Sequence, residues 1–377
     1  MDHLFGRCER EREREREREI EVEEMGDGAL HRDARIKLSI GTKEQGDADG
    51  LFYFPHGLVF DHHRGLLLVV DSSNHRVQLF SCDDDDGCSF VSKSGEYGDQ
   101  PGQLKHPWGI AIDHDHDRIL IVDTFNNRVQ SWPLSEQSFL SSIGHHGSRD
   151  LEFKLPRAIA IDKHHHRIII ADSNNDRLVF LSSIDLSFLF SIGKRGSQHG
   201  EFYRPSSIAI DDDRCRIIVS DTYNNRVQVL SSIDGSFLLE FGSKGNQPCQ
   251  FNDPIGVCID NQGRIIVADF NNNRLQSFTH EGHHISSFDC GRKCPIEVAF
   301  DEHRGLIAFS AGNRVHVIGA NQWLADTFTW RPDRHRYAPR WMKQAISTMT
   351  MIRSLVDECS AMSMIPNELL FEIFSHL

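Results

Sequence analysis

Residues 205–230 read PSSIAIDDDRCRIIVSDTYNNRVQVL. Pro205 opens the stretch, Ile208-Ala209-Ile210 alternates, and a polar turn follows Asp211. A β-branched run, Arg216-Ile217-Ile218-Val219, ends at Asp221, and Arg226-Val227-Gln228-Val229-Leu230 follows a second polar turn. Short alternating or β-branched runs bounded by turn residues specify strands. Beyond Asp234-Gly235, Phe237 to Phe241 adds a fourth strand and Gly242 ends it.

The same text recurs along the chain. PHGLVFDHHRGLLLVVDSSNHRVQLF begins at Pro55, PWGIAIDHDHDRILIVDTFNNRVQSW at Pro107 and PRAIAIDKHHHRIIIADSNNDRLVFL at Pro156. PIGVCIDNQGRIIVADFNNNRLQSF begins at Pro254 and PIEVAFDEHRGLIAFSAGNRVHVI at Pro295. The six prolines are spaced 52, 49, 49, 49 and 41 residues apart. Four short strands repeated at this period are the pattern of propeller blades. Gly95, Gly144, Gly193 and Gly242 each lie 12 residues before the next proline, and Leu104, Phe153, Phe202 and Phe251 lie three before it.

Residues 35–55 carry this fourth-strand pattern, with Gly41 and Phe52, but have no first three strands before them. The sixth unit has three strands and stops near Ala320. The two defects are complementary, so a strand at 35–40 is expected to complete the sixth blade and remove both open edges. The expected fold is all-β: one six-bladed propeller over residues 35–320, closed by its N-terminal strand. Residues 1–34 are read as a charged, disordered tail, because 9–24 hold nine glutamates and five arginines and almost nothing to bury. Residues 321–377 are read as a basic linker and a helical segment.

The recurring Asp-x-x-Asn-x-Arg-[Val/Leu]-Gln element resembles the NHL repeat, as in the C-terminal propellers of tripartite-motif ubiquitin ligases. It is carried by Asp71, Asn74 and Arg76; Asp123, Asn126 and Arg128; Asp172, Asn175 and Arg177; Asp221, Asn224 and Arg226; and Asp269, Asn272 and Arg274. Its presence in blade after blade argues for a structural role: the Asn and Asp make turns and the arginine forks back onto them. The sixth repeat lacks the aspartate at Ser310-Ala311-Gly312-Asn313-Arg314, and its turn is expected to be looser.

The chain has 377 residues, 25% charged and 39% hydrophobic, which fits a globular protein rather than a fibrous or disordered one. No run of apolar residues is long enough to span a membrane, and the N-terminus lacks a secretory pattern, so a cytoplasmic protein with no membrane contact is expected. In that compartment the neighbouring cysteines Cys82 and Cys88, and Cys290 and Cys294, are read as reduced pairs. A net charge of −14 opposes a general nucleic-acid binder.

Four residues after each proline, where a channel ligand is sought, stand Val59, Ala111, Ala160, Ala209, Cys258 and Ala299. None is a metal ligand of the expected kind, so no metal, no cofactor and no catalytic residue is assigned. A non-catalytic binding module is expected, with a propeller hydrolase or lyase as an alternative. The histidine-rich tips around His62, His114, His165 and His303 are read as solvated turns, and the strand-end aspartates Asp61, Asp113, Asp162, Asp211, Asp260 and Asp301 as turn caps. The residue after each proline differs between blades: His56, Trp108, Arg157, Ser206, Ile255 and Ile296. With Trp108 exposed or packed under a loop, this ring is the expected site for a protein or peptide partner. Lys194, Arg195, Tyr203 and Arg204 form the best patch for RNA, the other partner considered.

The C-terminal string IPNELLFEIFSHL resembles the opening of an F-box, with a SOCS-box-like helix as a second likeness. Leu369, Leu370, Ile373, Phe374 and Leu377 would then dock a ubiquitin-ligase adaptor, making the propeller a substrate receptor. The same stripe would serve equally for packing on the propeller.

Overall fold

Proline suits the first position of a strand, where its missing N–H breaks no ladder. The innermost strands Pro55–Asp61, Pro205–Asp211, Pro254–Ile259 and Pro295–Asp301 start on their prolines, while Ile110–Asp113 and Ala158–Asp162 start just after theirs. A computed structural model describes residues 36–83, 87–136, 138–320 and Trp323. Each inner strand pairs antiparallel with the next in sequence, and six four-stranded sheets result. The inner strands of successive blades adjoin one another, so the sheets form the six-bladed propeller expected from the repeats.

The closing strand is where the complementary defects put it. Ile36–Gly41 pairs antiparallel with Arg314–Gly319, Ile40 opposite Val315 and Gly41 opposite Arg314. Ile40 is buried with Phe52, Phe80, Val315 and Val317. Removing residues 1–41 should therefore lower the Tm and produce concentration-dependent association through the bared edge at Arg314–Gly319. Thermal unfolding and light scattering check this, and a monomer with the full-length Tm would refute ring closure.

The core lies between blades. Phe180, Ile169 and Leu178 of the third blade meet Phe202, Ile208, Ile217 and Leu230 around the fourth. The glycine ending each fourth strand makes room for this packing. Gly193 has φ +91°, and a Cβ there would stand 2.5 Å from the Phe202 ring. Only glycine meets both demands.

The repeated motif ties each blade to the loop that enters it. In the fourth blade, Asp221 accepts from Tyr203 N (2.7 Å), Asn224 Nδ2 (2.9 Å), Arg226 Nε (2.8 Å) and Gln228 Nε2 (3.1 Å). Arg226 also donates to the carbonyls of Ser197, Gln198 and Glu201 at 2.8–2.9 Å. The same four kinds of donor surround Asp71, Asp123 and Asp269, and Asp172, with Val179 at the glutamine position, keeps the other three. Five of the six strand-end aspartates accept from amides of their turns, Asp61 from His63 and Arg64 for instance, whereas Asp113 takes the His116 and Arg118 side chains instead.

Two local expectations are corrected. The sixth turn is tight rather than loose: Ala311 pairs with Arg314, leaving the two-residue link Gly312-Asn313, with Gly312 at φ +61°. Losing the aspartate removes the 3-10 turn of the other blades, and a compact hairpin replaces it. Cys82 and Cys88 lie opposite each other on paired strands and are joined in a disulfide, not reduced. Cys290 and Cys294 are not joined in a disulfide. The expected tail at 1–34, the segment beyond Trp323 and the stripe Leu369, Leu370, Ile373, Phe374 and Leu377 lie outside the described residues. Among the described residues no helix is long and apolar enough to cross a membrane.

Candidate active site

Side chains alternate along each inner strand, so every second position faces the propeller axis. The six residues directly after the prolines are all buried: His56, Trp108, Arg157, Ser206, Ile255 and Ile296. They stack rather than project. The His56 and Trp108 rings are 3.9 Å apart, and the Arg157 guanidinium lies 4.5 Å over Trp108. Arg157 donates to Ser206 Oγ at 2.9 Å, and Thr222 donates to the same oxygen at 2.8 Å. Burial holds His56 near pKa 3, with the Arg157 charge adding to the effect. Desolvation likewise lowers Arg157 to about 10. Of the two readings of Trp108, the packed one holds: it is 5% exposed, set into a polar-aromatic layer at the loop end of the inner strands.

One position further along each strand stand Gly57, Gly109, Ala158, Ser207, Gly256 and Glu297. Five are small because the backbones converge there. A Cβ at Gly57 would meet the Trp108 carbonyl at 2.3 Å, and one at Gly109 the Arg157 carbonyl at 2.5 Å. The sixth is a carboxylic acid, buried against the channel. Glu297 Oε1 accepts from Ser207 Oγ across the ring (3.2 Å) and from Val298 N (3.2 Å). Ser207 Oγ in turn accepts from Val257 N at 3.2 Å. Burial pushes the Glu297 carboxyl up to about 8, although these hydrogen bonds pull the other way. At neutral pH it is mainly a protonated acid, in a place where its proton can be given up.

A cavity of about 310 Å³ lies against this ring. Its walls are the inner strands, including Val59, Ala111, Ala209, Cys258 and Ala299, and Glu297 and Ser207 are its polar groups deep within. His62 and Lys163, from the hairpin tips, also line it. Five of the six small residues four after the prolines line the cavity, Ala160 being the exception. Glu297, two after its proline, was not foreseen, and its signal was readable: one glutamate against five small residues at an aligned position.

The loop-face patch is brought together. Arg195 lies 4.3 Å over the Tyr203 ring, Arg204 lies 5.1 Å over Tyr223, and the two tyrosines meet edge to face at 5.0 Å. Lys194 pairs with Glu201 at 3.3 Å. On the opposite face the tips read as separate solvated turns converge. His62 of the first blade meets His303 of the sixth, with rings 5.2 Å apart, and His63 meets His114 of the second at 4.3 Å.

This fold and motif define an NHL-repeat six-bladed β-propeller. The NHL repeat model matches residues 52–80, 202–230 and 251–278. No curated protein matches the sequence. Among solved structures, a gluconolactonase from Xanthomonas campestris aligns with TM-score 0.54 at 14% identity, covering 72% of this chain and 87% of its own. A protein of unknown function from Bacteroides thetaiotaomicron aligns with TM-score 0.54 at 18% identity, over 74% and 73%. A virginiamycin B lyase from Staphylococcus aureus gives TM-score 0.50 at 12% identity, over 74% and 98%. At these identities the likeness establishes the fold alone. The expectation of a non-catalytic module is corrected to this extent: the fold is one that enzymes share, and the channel taken to be inert holds a buried acid.

Proposed function

We propose that this propeller is a hydrolase or lyase acting on a small ligand in its central channel, with Glu297 as the proton-transfer residue. The observation that carries the reading is a buried carboxyl, raised to about 8, at a cavity of about 310 Å³. That volume sits at the lower end of small-molecule sites. A carboxyl tuned towards neutrality is suited to general acid–base work, because both protonation states are within reach at working pH. The gluconolactonase neighbour suggests a cyclic ester as the first substrate class to try. Hydrolysis would place the water hydroxyl on the acyl carbon while Glu297 protonates the departing alkoxide; water's remaining proton then restores the acid.

The test is a panel of lactones and simple esters assayed with the full chain and with Glu297→Gln. Glutamine keeps the volume but has no proton to deliver, so the rate should fall about 10²–10⁴-fold. The wild-type rate should also decline above pH 8, where the acid form is lost. A variant as active as wild type, with an unchanged pH profile, would remove Glu297 from the chemistry.

A second ligand surface is favoured by the Arg195, Tyr203, Tyr223 and Arg204 cluster on the loop face. Tyrosine and arginine are the residues that anchor protein interfaces. Both guanidinium groups lie over rings and the net charge is −14, which favours a peptide or protein over RNA.

A further inference from the structure

We propose that His62, Glu302 and His303 form a binding site for a divalent transition metal of the zinc class, at the seam between the first and sixth blades. His62 comes from the turn after Pro55–Asp61, and Glu302 and His303 from the turn after Pro295–Asp301. The turns are 240 residues apart in the chain but adjacent in the ring, because the N-terminal strand draws the first and sixth blades together. One ligand atom from each of the three residues lies within 4.8 Å of the others. Zinc bonds of about 2.0–2.1 Å in tetrahedral array set ligand separations of roughly 3.3 Å. Modest side-chain rotation closes that difference, and Glu302 and His303 are exposed and free to make it.

The surroundings point the same way. His62 Nδ1 is sealed from solvent and makes no full hydrogen bond; the Asp301 carboxylate stands 3.5 Å from it. Asp301 is itself buried and held by the amides of His303 and Arg304 at 3.0 and 3.2 Å. A carboxylate behind one imidazole nitrogen fixes the tautomer that presents the other nitrogen to a metal. Arg304, the nearest cation of this turn, is turned onto Asp301 at 3.3 Å. The adjoining depression is lined by Asp211, Asp212, Asp213 and Asp260 against Arg214, a surface that concentrates cations. Two imidazoles and one carboxylate are a zinc donor set with a position left open, and imidazole excludes calcium and magnesium as the preferred occupants. His62 also lines the channel cavity, so a metal here would stand at the mouth of that cavity. The site does not depend on Glu297 or on any catalytic role.

The experiment is equilibrium dialysis of the EDTA-stripped full chain against Zn²⁺, with bound metal counted by mass spectrometry. Other histidines will take up some zinc, so the readout is the difference between variants. His303→Ala and Glu302→Gln, both at exposed positions, should each remove one zinc per chain or weaken its binding at least tenfold. His165→Ala, on the third-blade tip, should leave the count unchanged. Cobalt(II) should give a visible absorption band in wild type that is lost in His303→Ala. Equal zinc counts in wild type, His303→Ala and Glu302→Gln would overturn the site, as would a loss in His165→Ala of the same size. Retained lactone or ester turnover in His303→Ala would leave this outcome unaffected, which keeps it separate from the Glu297 reading.

Discussion

Substituting Asp221 with alanine should destabilise the propeller by about 3–5 kcal/mol, the cost of breaking a buried ion pair from one side. Asp221 is 0% exposed, and four donors converge on it. Its removal leaves the buried Arg226 guanidinium without the carboxylate that receives Nε, with only the part-exposed Glu240 carboxylate, 2.6 Å away, to balance its charge. Asn224, Gln228 and the amide of Tyr203 lose their acceptor at the same time. Burial already raises the Asp221 pKa despite these donors, so the carboxylate is held at a cost rather than for surplus charge attraction. What it secures is the geometry of the loop at 196–204, whose carbonyls Arg226 holds. Urea unfolding measures the loss, with Asp234→Ala as control. Asp234 sits on an exposed turn and bonds only locally to Ser236, so its removal should fall within about 0.5 kcal/mol of wild type. If Asp221→Ala were as mild as Asp234→Ala, the repeated motif would not be the clamp described.

Wild type and Glu297→Gln should diverge in stability as pH rises. The Glu297 carboxyl is raised from 4.5 to about 8 by burial. Between those limits the folded protein holds a proton that the unfolded chain has released, so folding stability falls as pH increases. Below 4.5 both states are protonated and the group costs nothing; above 8 both are ionised and the full penalty is present. At 1.36 kcal/mol per pH unit, the interval corresponds to on the order of 4–5 kcal/mol. Glutamine cannot ionise, so subtracting its unfolding free energy from that of wild type isolates this curve from all other groups. Those include His56, whose depressed pKa acts in the opposite sense, its stabilisation lost as pH falls from 6.5 towards 3. A difference curve flat from pH 4.5 to 8 would mean that Glu297 is solvated, and the channel reading would fail with it.

The fold was legible because its determinants are local and repeated. Strand alternation, the turn-forming Asp and Asn, and the arginine five residues beyond each Asp act within one blade and its entering loop. Each copy therefore confirms the others. Ring closure could also be read, since a missing fourth strand at one end and a surplus one at the other have a single mutual solution. The sixth turn escaped because it depends on a one-residue change in hairpin length, and the Cys82–Cys88 bond because a reducing compartment was assumed for a pair that faces across a hairpin.

The candidate sites divide along the same line. Glu297 was visible as an odd residue in an otherwise small-residue column, but the direction of each inner strand's side chains decides which column meets the axis. The residues after the prolines, varied as a binding surface should be, turned out to fill a buried layer. Variation there accompanies six different side chains interlocking in that layer. The meeting of His62 with Glu302 and His303 could not be read from the chain at all. Their turns carry no pattern linking them, and only the closure of a ring by its last and first blades brings them within reach. The sequence by itself determined the blades and their clamps, because those are short-range. The tertiary structure alone decided what faces the axis and what meets across the seam, because those distances are set by the circle and not by the chain.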